Sequence, residues 1–178
     1  MSLLIQSSPL LHPSGENTIR DRSFFNPYVT PQRSGTIAWR RAELGGANGH
    51  GNAYSVALVQ SVLSCGGEVG GVRLLSEAGC ERVLEEQSNG IDLLFGLPIR
   101  WGMGLAIGTP LLKCMFGDRV DGRRIAFWGG SGGSFVMNDL DEHMTVAFVN
   151  NKHVEAGGWD ERSLNIINAA YDCLAVAK

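Results

Sequence analysis

The stretch FWGGSGGSF, residues 127–135, decides how the chain is read. Four glycines surround two serines between the apolar runs RIAFW and FVMN. Three readings compete: a phosphate loop, a tight hairpin and one wall of a binding cleft. A phosphate loop of the G-x-x-x-x-G-K-[ST] type requires a lysine that is missing here. A dinucleotide fingerprint requires a helix after the glycines, whereas residues 133–138 continue as an apolar strand. The glycines therefore read first as a hairpin, whose backbone needs positive φ.

Working outward, RIAFW (124–128), GSFVMN (133–138) and HMTVAFVN (143–150) read as three strands joined by short linkers. Such linkers favour an antiparallel meander. WGMGLAI (101–107) alternates Trp101, Met103, Leu105 and Ile107 with Gly102, Gly104 and Ala106. Period two predicts a fourth strand, with something packed very close to its small-residue face. In the last strand Met144, Val146 and Phe148 oppose Thr145, Ala147 and Val149, so both faces are largely apolar. No strand follows it, which predicts a sheet edge open to another strand.

Helices are expected on either side of these strands. NAYSVALVQSVLSCGG begins with Asn52 as N-cap, carries a Val56, Val59, Leu63 stripe beside Leu58 and Val62, and ends at Gly66-Gly67. SEAGCERVLEEQSNG reads as a shorter helix capped by Ser76, with Asn89-Gly90 beyond its end. DERSLNIINAAYDCLAV has acidic residues in its first turn and Leu164, Ile167, Tyr171 and Leu174 along one face. The fold class is thus α/β of the α+β type, with an antiparallel sheet of about four strands flanked by helices. Residues 1–39 hold four of the six prolines and no sustained period, and read as an extended, irregular arm.

Composition narrows the function. The 178 residues are enough for one core and carry a net charge of −3, which gives no reason to expect nucleic acid or an anionic membrane as partner. Cys65, Cys80, Cys114 and Cys173 form no C-x-x-C pair, and the four histidines have no metal-ligand spacing. Neither metal nor cofactor is expected. The N-terminal MSLLIQSSPLLHPSGEN lacks a basic region and is broken by Pro9 and Pro13, so a cytoplasmic location is the expectation.

Three blocks carry a resemblance. RRAELGGANGHGNAYSVALVQSVLSCGGEVGGVRLLSEAG, then RWGMGLAI, then FWGGSGGSFVMNDLDEHMTVAFVNNKH resemble the C-terminal part of the serine β-lactamase-related proteins. The likeness is to their class C type, in the family VIII carboxylesterase and acyltransferase branch. It covers residues 39–153 in family order and implies that residues 40–178 form a partial domain of that fold. In that family a strand ending in K-T-G, H-G-G or W-G-G lines one side of the active-site cleft. The resemblance assigns this substrate-binding box to Trp128, Gly129 and Gly130, and makes the backbone N–H of Ser131 one of two oxyanion-hole donors. Such a donor stabilises a tetrahedral transition state by about 3 kcal/mol. Trp128, standing where true β-lactamases have lysine, implies an apolar wall suited to a small neutral ester or acyl substrate.

The same family takes its nucleophile from S-x-x-K. Here Lys113, Lys152 and Lys178 are preceded three places earlier by Pro110, Val149 and Ala175. The family's Y-x-N is missing too, because Tyr28, Tyr54 and Tyr171 are followed two places on by Thr30, Val56 and Cys173. The implication is a truncated chain with no catalytic side chain of its own, inactive alone or half of a split enzyme. A complementary N-terminal half, or a second copy pairing through the open edge, is the expected partner. A non-catalytic regulatory domain that uses the same edge is the alternative. Ser131 and Ser134 lack the strand–nucleophile–helix setting of a catalytic serine. His50 reads as a packing or hydrogen-bonding histidine, Arg40-Arg41 with Glu43 as a structural ion pair, and Trp101 as core.

Overall fold

A computed structural model describes residues 14–26, 31–108, 110–130, 132–152, 154 and 160–177. Its centre is a six-stranded sheet of β3 (Ser88–Ile91), β4 (Pro98–Trp101), β5 (Ala106–Ile107), β6 (Ile125–Gly129), β7 (Phe135–Asp139) and β8 (Met144–Phe148). Every neighbouring pair is antiparallel and the spatial order follows the sequence, so the sheet is a meander. It has six strands where about four were expected. β1 (Glu68–Val69) and β2 (Val72–Arg73) form a separate small hairpin.

Two helices cover opposite faces of β7 and β8. In register, Phe127, Met137 and Val146 share one face, as do Ile125, Asp139 and Met144. The long helix α6 (Glu161–Ala177) lies on this side, with Ile167 and Tyr171 buried and Leu164 and Leu174 packed at the margin, as its periodicity predicts. α5 (Pro110–Phe116) adds Leu112 and Phe116, and the short 3-10 turn Gly117–Val120 adds Val120. Each such large side chain contributes about 1.5–3 kcal/mol on leaving water.

α6 is also tied down by a buried polar group. Asp139, 0% exposed, accepts from the Tyr171 hydroxyl at 2.7 Å and from the backbone N–H groups of Asp141 and Glu142 at 3.0 and 3.1 Å. Arg123 lies 3.5 Å from the same carboxylate. Burial, and then the bond to Asp139, push the Tyr171 phenol well above its ordinary pKa.

The other face meets α3 (Ala53–Ser64). Asn52 caps it as predicted: its Oδ1 accepts from Ser55 N–H while Ser55 Oγ accepts from Asn52 N–H. The contact face differs from the expected Val56, Val59, Leu63 stripe, since Val59 is 62% exposed. A chain of polar groups joins helix to sheet instead. Gln60 Oε1 accepts from Asn138 Nδ2 at 3.0 Å, Asn138 Oδ1 accepts from Thr145 Oγ1 at 2.8 Å, and Thr145 Oγ1 lies 2.8 Å from Ser64 Oγ. These bonds fix the rotation of a helix that is apolar nearly all round, and they leave Tyr54, Leu58 and Val59 at the surface.

Two further expectations are revised. Residues 101–107 do not form one strand: Gly102 N–H donates to the Leu105 carbonyl at 2.8 Å and Gly104 has φ +83°, so the chain turns between β4 and β5. The close approach behind the small residues is real. A Cβ on Gly102 would lie 2.7 Å from Ile107 Cγ2 and closer still to the Val83 carbonyl oxygen. The second helix, α4 (Glu77–Arg82), is capped by Ser76 and ends before Asn89-Gly90 as expected, and these two residues pair within β3. Within the stretch expected to be an extended arm, α1 (Ile19–Phe24), a 3-10 turn (Pro31–Gly35) and α2 (Ile37–Arg41) form short helical turns, and α2 crosses position 39. Among the described residues no helix is long and apolar enough to cross a membrane.

Among the described residues β8 ends the sheet at one side, the edge position its sequence predicts. Its five residues are half-buried and none is charged.

Candidate functional site

β6 delivers Trp128 and Gly129 to one end of the sheet, where Trp128 pairs with Val136 and Gly129 with Phe135. Trp128 is half-buried in a group of aromatic rings. Its centroid is 4.5 Å from that of Trp101 and 5.3 Å from that of Phe95, and Phe95 in turn meets Phe24 of α1 at 6.4 Å. Trp101 Nε1–H donates to Asp92 Oδ2 at 3.2 Å, which satisfies the polar atom of that ring. The predicted core role of Trp101 is thus a role at the core's margin, as neighbour to Trp128.

The chain reverses beyond Gly129. Gly130 N–H donates to the Ser134 carbonyl at 2.7 Å, and Gly133 N–H donates to the Gly130 carbonyl at 3.2 Å. Gly132 and Gly133 have φ of +92° and +99°, a region that glycine reaches without strain. Ser131, whose N–H the resemblance marks as an oxyanion donor, lies outside the described residues. Gly130 is exposed, while Gly132 and Gly133 are buried, so the turn rests on something.

What it rests on is the segment after β8 together with the start of α6. The Gly132 carbonyl accepts from Arg162 Nη2 at 3.0 Å, from Val154 N–H at 3.3 Å and from Asn150 Nδ2. Arg162 also donates through Nη1 to the Lys152 carbonyl at 3.0 Å and pairs with Asp160 through Nε and Nη2. Its guanidinium lies 5.7 Å from the centroid of the Phe148 ring. The Arg162 hydrogen bond, outweighing burial, holds the Asp160 carboxyl below the usual carboxylate range. One side chain thus connects the glycine turn, the exit of β8 and the N-terminus of α6.

The other residues weighed in the sequence are elsewhere or play local parts. His50 is exposed before α3, its Nδ1 2.8 Å from the Asn48 carbonyl. Ser134 contributes its carbonyl to the turn. Arg40 donates to the Gly35 carbonyl at 3.0 Å, and among the described residues neither Arg40 nor Arg41 pairs with Glu43. Arg162 was not singled out in the sequence. The signal was slight: an acidic-basic pair, Asp160 and Arg162, in the first turn of a helix where only acidic residues are expected.

No family model matches the chain, and no curated protein matches it. Solved structures do. A family VIII carboxylesterase superposes with a TM-score of 0.74 at 30% identity, covering 83% of this chain and 38% of that one. A penicillin-binding protein homolog from Caulobacter crescentus superposes with a TM-score of 0.73 at 32% identity, covering 86% of this chain and 39% of its own. The chain therefore spans less than two fifths of the length of each of these two proteins. An antiparallel sheet closed by α6, the glycine turn at its end and these two likenesses agree: the chain has the β-lactamase and penicillin-binding-protein fold and is similar to part of such a protein.

Proposed function

We propose that the chain supplies the electrophile-holding wall of an acyl-transfer pocket, in a serine hydrolase of the carboxylesterase or acyltransferase kind. The observation that carries this reading is the Trp128-Gly129-Gly130 strand end, followed by a glycine turn that is bonded from behind. Backbone without side chains lets a substrate carbonyl come close. A fixed N–H at Ser131 would meet the oxyanion, and the aromatic group around Trp128 would bound the apolar part of a small ester. The serine nucleophile and its lysine and tyrosine partners come from a complementary N-terminal segment that adds a strand along β8. Mixing the chain with the N-terminal half of a family VIII carboxylesterase should give a complex that hydrolyses a p-nitrophenyl ester. Absence of both complex and hydrolysis would refute the proposal, and so would stoichiometric fluorophosphonate labelling of a serine in the chain alone.

A second reading, self-association or regulation of a longer relative without catalysis, is favoured by the edge itself. β8 carries none of the charges or prolines that usually block strand addition. Sedimentation across a wide concentration range should then show a dimer. A monomer throughout would exclude stable pairing of two copies.

A further inference from the structure

We infer that Arg162 is a positioning residue for the glycine turn, an inference that rests on the reading of that turn as the pocket wall. The peptide unit joining Gly132 to Gly133 is held at both ends. Its carbonyl oxygen accepts from Arg162 Nη2, Asn150 Nδ2 and Val154 N–H, and its N–H donates to the Gly130 carbonyl. A peptide is planar, so fixing both polar ends fixes the plane. The turn is thereby set on the C-terminal side of Ser131, while the pairing of Gly130 with Ser134 sets it on the other.

Between two glycines with positive φ, such a peptide has little intrinsic resistance to rotation. The restraint must come from outside the turn. Asn150 and Val154 lie on the segment leaving β8, and Arg162 holds that segment too, through the Lys152 carbonyl. Arg162 itself is oriented by Asp160, whose Oδ1 also accepts from Arg162 N–H at 2.8 Å. Removing the guanidinium therefore loosens the turn and its neighbouring support together. Lysine keeps the charge but cannot make the forked set of bonds to Gly132, Lys152 and Asp160.

The test is amide hydrogen exchange by NMR on the full chain, comparing wild type with R162Q, R162K and, as control, Y171F. R162Q should speed exchange at Gly133 by about tenfold or more, and shift the resonances of residues 130–134 and 150–154, while the amides of β6 and the middle of α6 stay protected. R162K should fall between wild type and R162Q. Y171F, which weakens α6 near its other end, should instead raise exchange across β7 and α6 without singling out Gly133. Unchanged protection at Gly133 in R162Q would overturn the inference. So would a rise spread evenly through the sheet and α6, because that is what a merely structural arginine produces. Exchange does not depend on hydrolysis, so a failure of the complementation assay and a failure here are distinguishable.

Discussion

Replacing Gly133 by alanine tests whether the buried turn is as constrained as its geometry indicates. Gly133 has φ +99°, where a side-chain-bearing residue costs about 1–3 kcal/mol. The new Cβ would also lie 2.9 Å from Arg162 Nη2, 3.2 Å from Asp160 Cγ and closer still to Asp160 Oδ2. Something must move, and the Asp160–Arg162 pair is what lies in the way. The Arg162 side chain is 34% exposed, so solvent screening limits the loss from loosening that pair to about 1 kcal/mol. Together these give a destabilisation of about 2–4 kcal/mol. With a urea slope of about 2 kcal/mol/M, the unfolding midpoint should fall by about 1–2 M. Gly130 is the internal control: its added Cβ would meet Ser134 Cβ at 3.6 Å, an ordinary contact, and its φ is not in the left-handed region. G130A should change stability by less than about 1 kcal/mol. The measurement is urea unfolding of both variants followed by tryptophan fluorescence and circular dichroism. A G133A midpoint equal to that of wild type, or a larger loss in G130A, would refute the reasoning.

Y171F removes the donor that Asp139 receives from α6 and should cost about 1–3 kcal/mol in urea unfolding. Because burial and Asp139 raise the Tyr171 phenol pKa in the folded state, the tyrosine contribution is complete below its ordinary value of about 10 and is lost as pH rises above it. Stability measured from pH 9 upward should therefore fall in wild type and fall less in Y171F. At the acid end, Asp160 is held low by Arg162, and Asp141 chiefly by the backbone N–H of Arg124. Their contribution is present above about pH 4 and is lost as pH falls through the lowered folded values, and D160N should flatten part of that decline. N138A leaves Gln60 and Thr145 without their shared partner inside the α3 interface, and should lower stability by about 1–3 kcal/mol, read from the thermal or urea midpoint.

Much of the architecture was legible because it rests on local periodicity. Alternation in 124–128, 133–138 and 143–150 located β6, β7 and β8 to within two residues at each end, and the 3.6-residue stripe of α6 gave its buried face directly. Where tertiary contacts overrule period, the reading failed. WGMGLAI alternates, yet Gly102 and Gly104 accommodate a turn, and which of these glycines bends cannot be read without knowing that the Val83 carbonyl lies behind Gly102. α3 is apolar nearly all round, so its stripe was ambiguous, and the side that packs was selected by Gln60 and Ser64 finding polar partners on the sheet. β3 and β4 were missed because SNGI and PIRW contain a glycine, a proline and too few residues to show a period. At the site, the W-G-G box was visible as a motif. Its support was not, because Arg162 lies 30 residues from Gly132 in sequence, and a single arginine carries no pattern.

The hydroxyl and amide groups running from Gln60 through Asn138 and Thr145 to Ser64 also act as a key for strand alignment. β8 is apolar on both sides, so hydrophobicity alone hardly distinguishes the native pairing with β7 from one displaced by a single residue. That displacement would turn Thr145 to the α6 side and take its hydroxyl away from the Asn138 side-chain carbonyl and from Ser64 Oγ in the α3 interface. Misaligned pairings are thus penalised at one point, and the outermost strand among the described residues is held in frame.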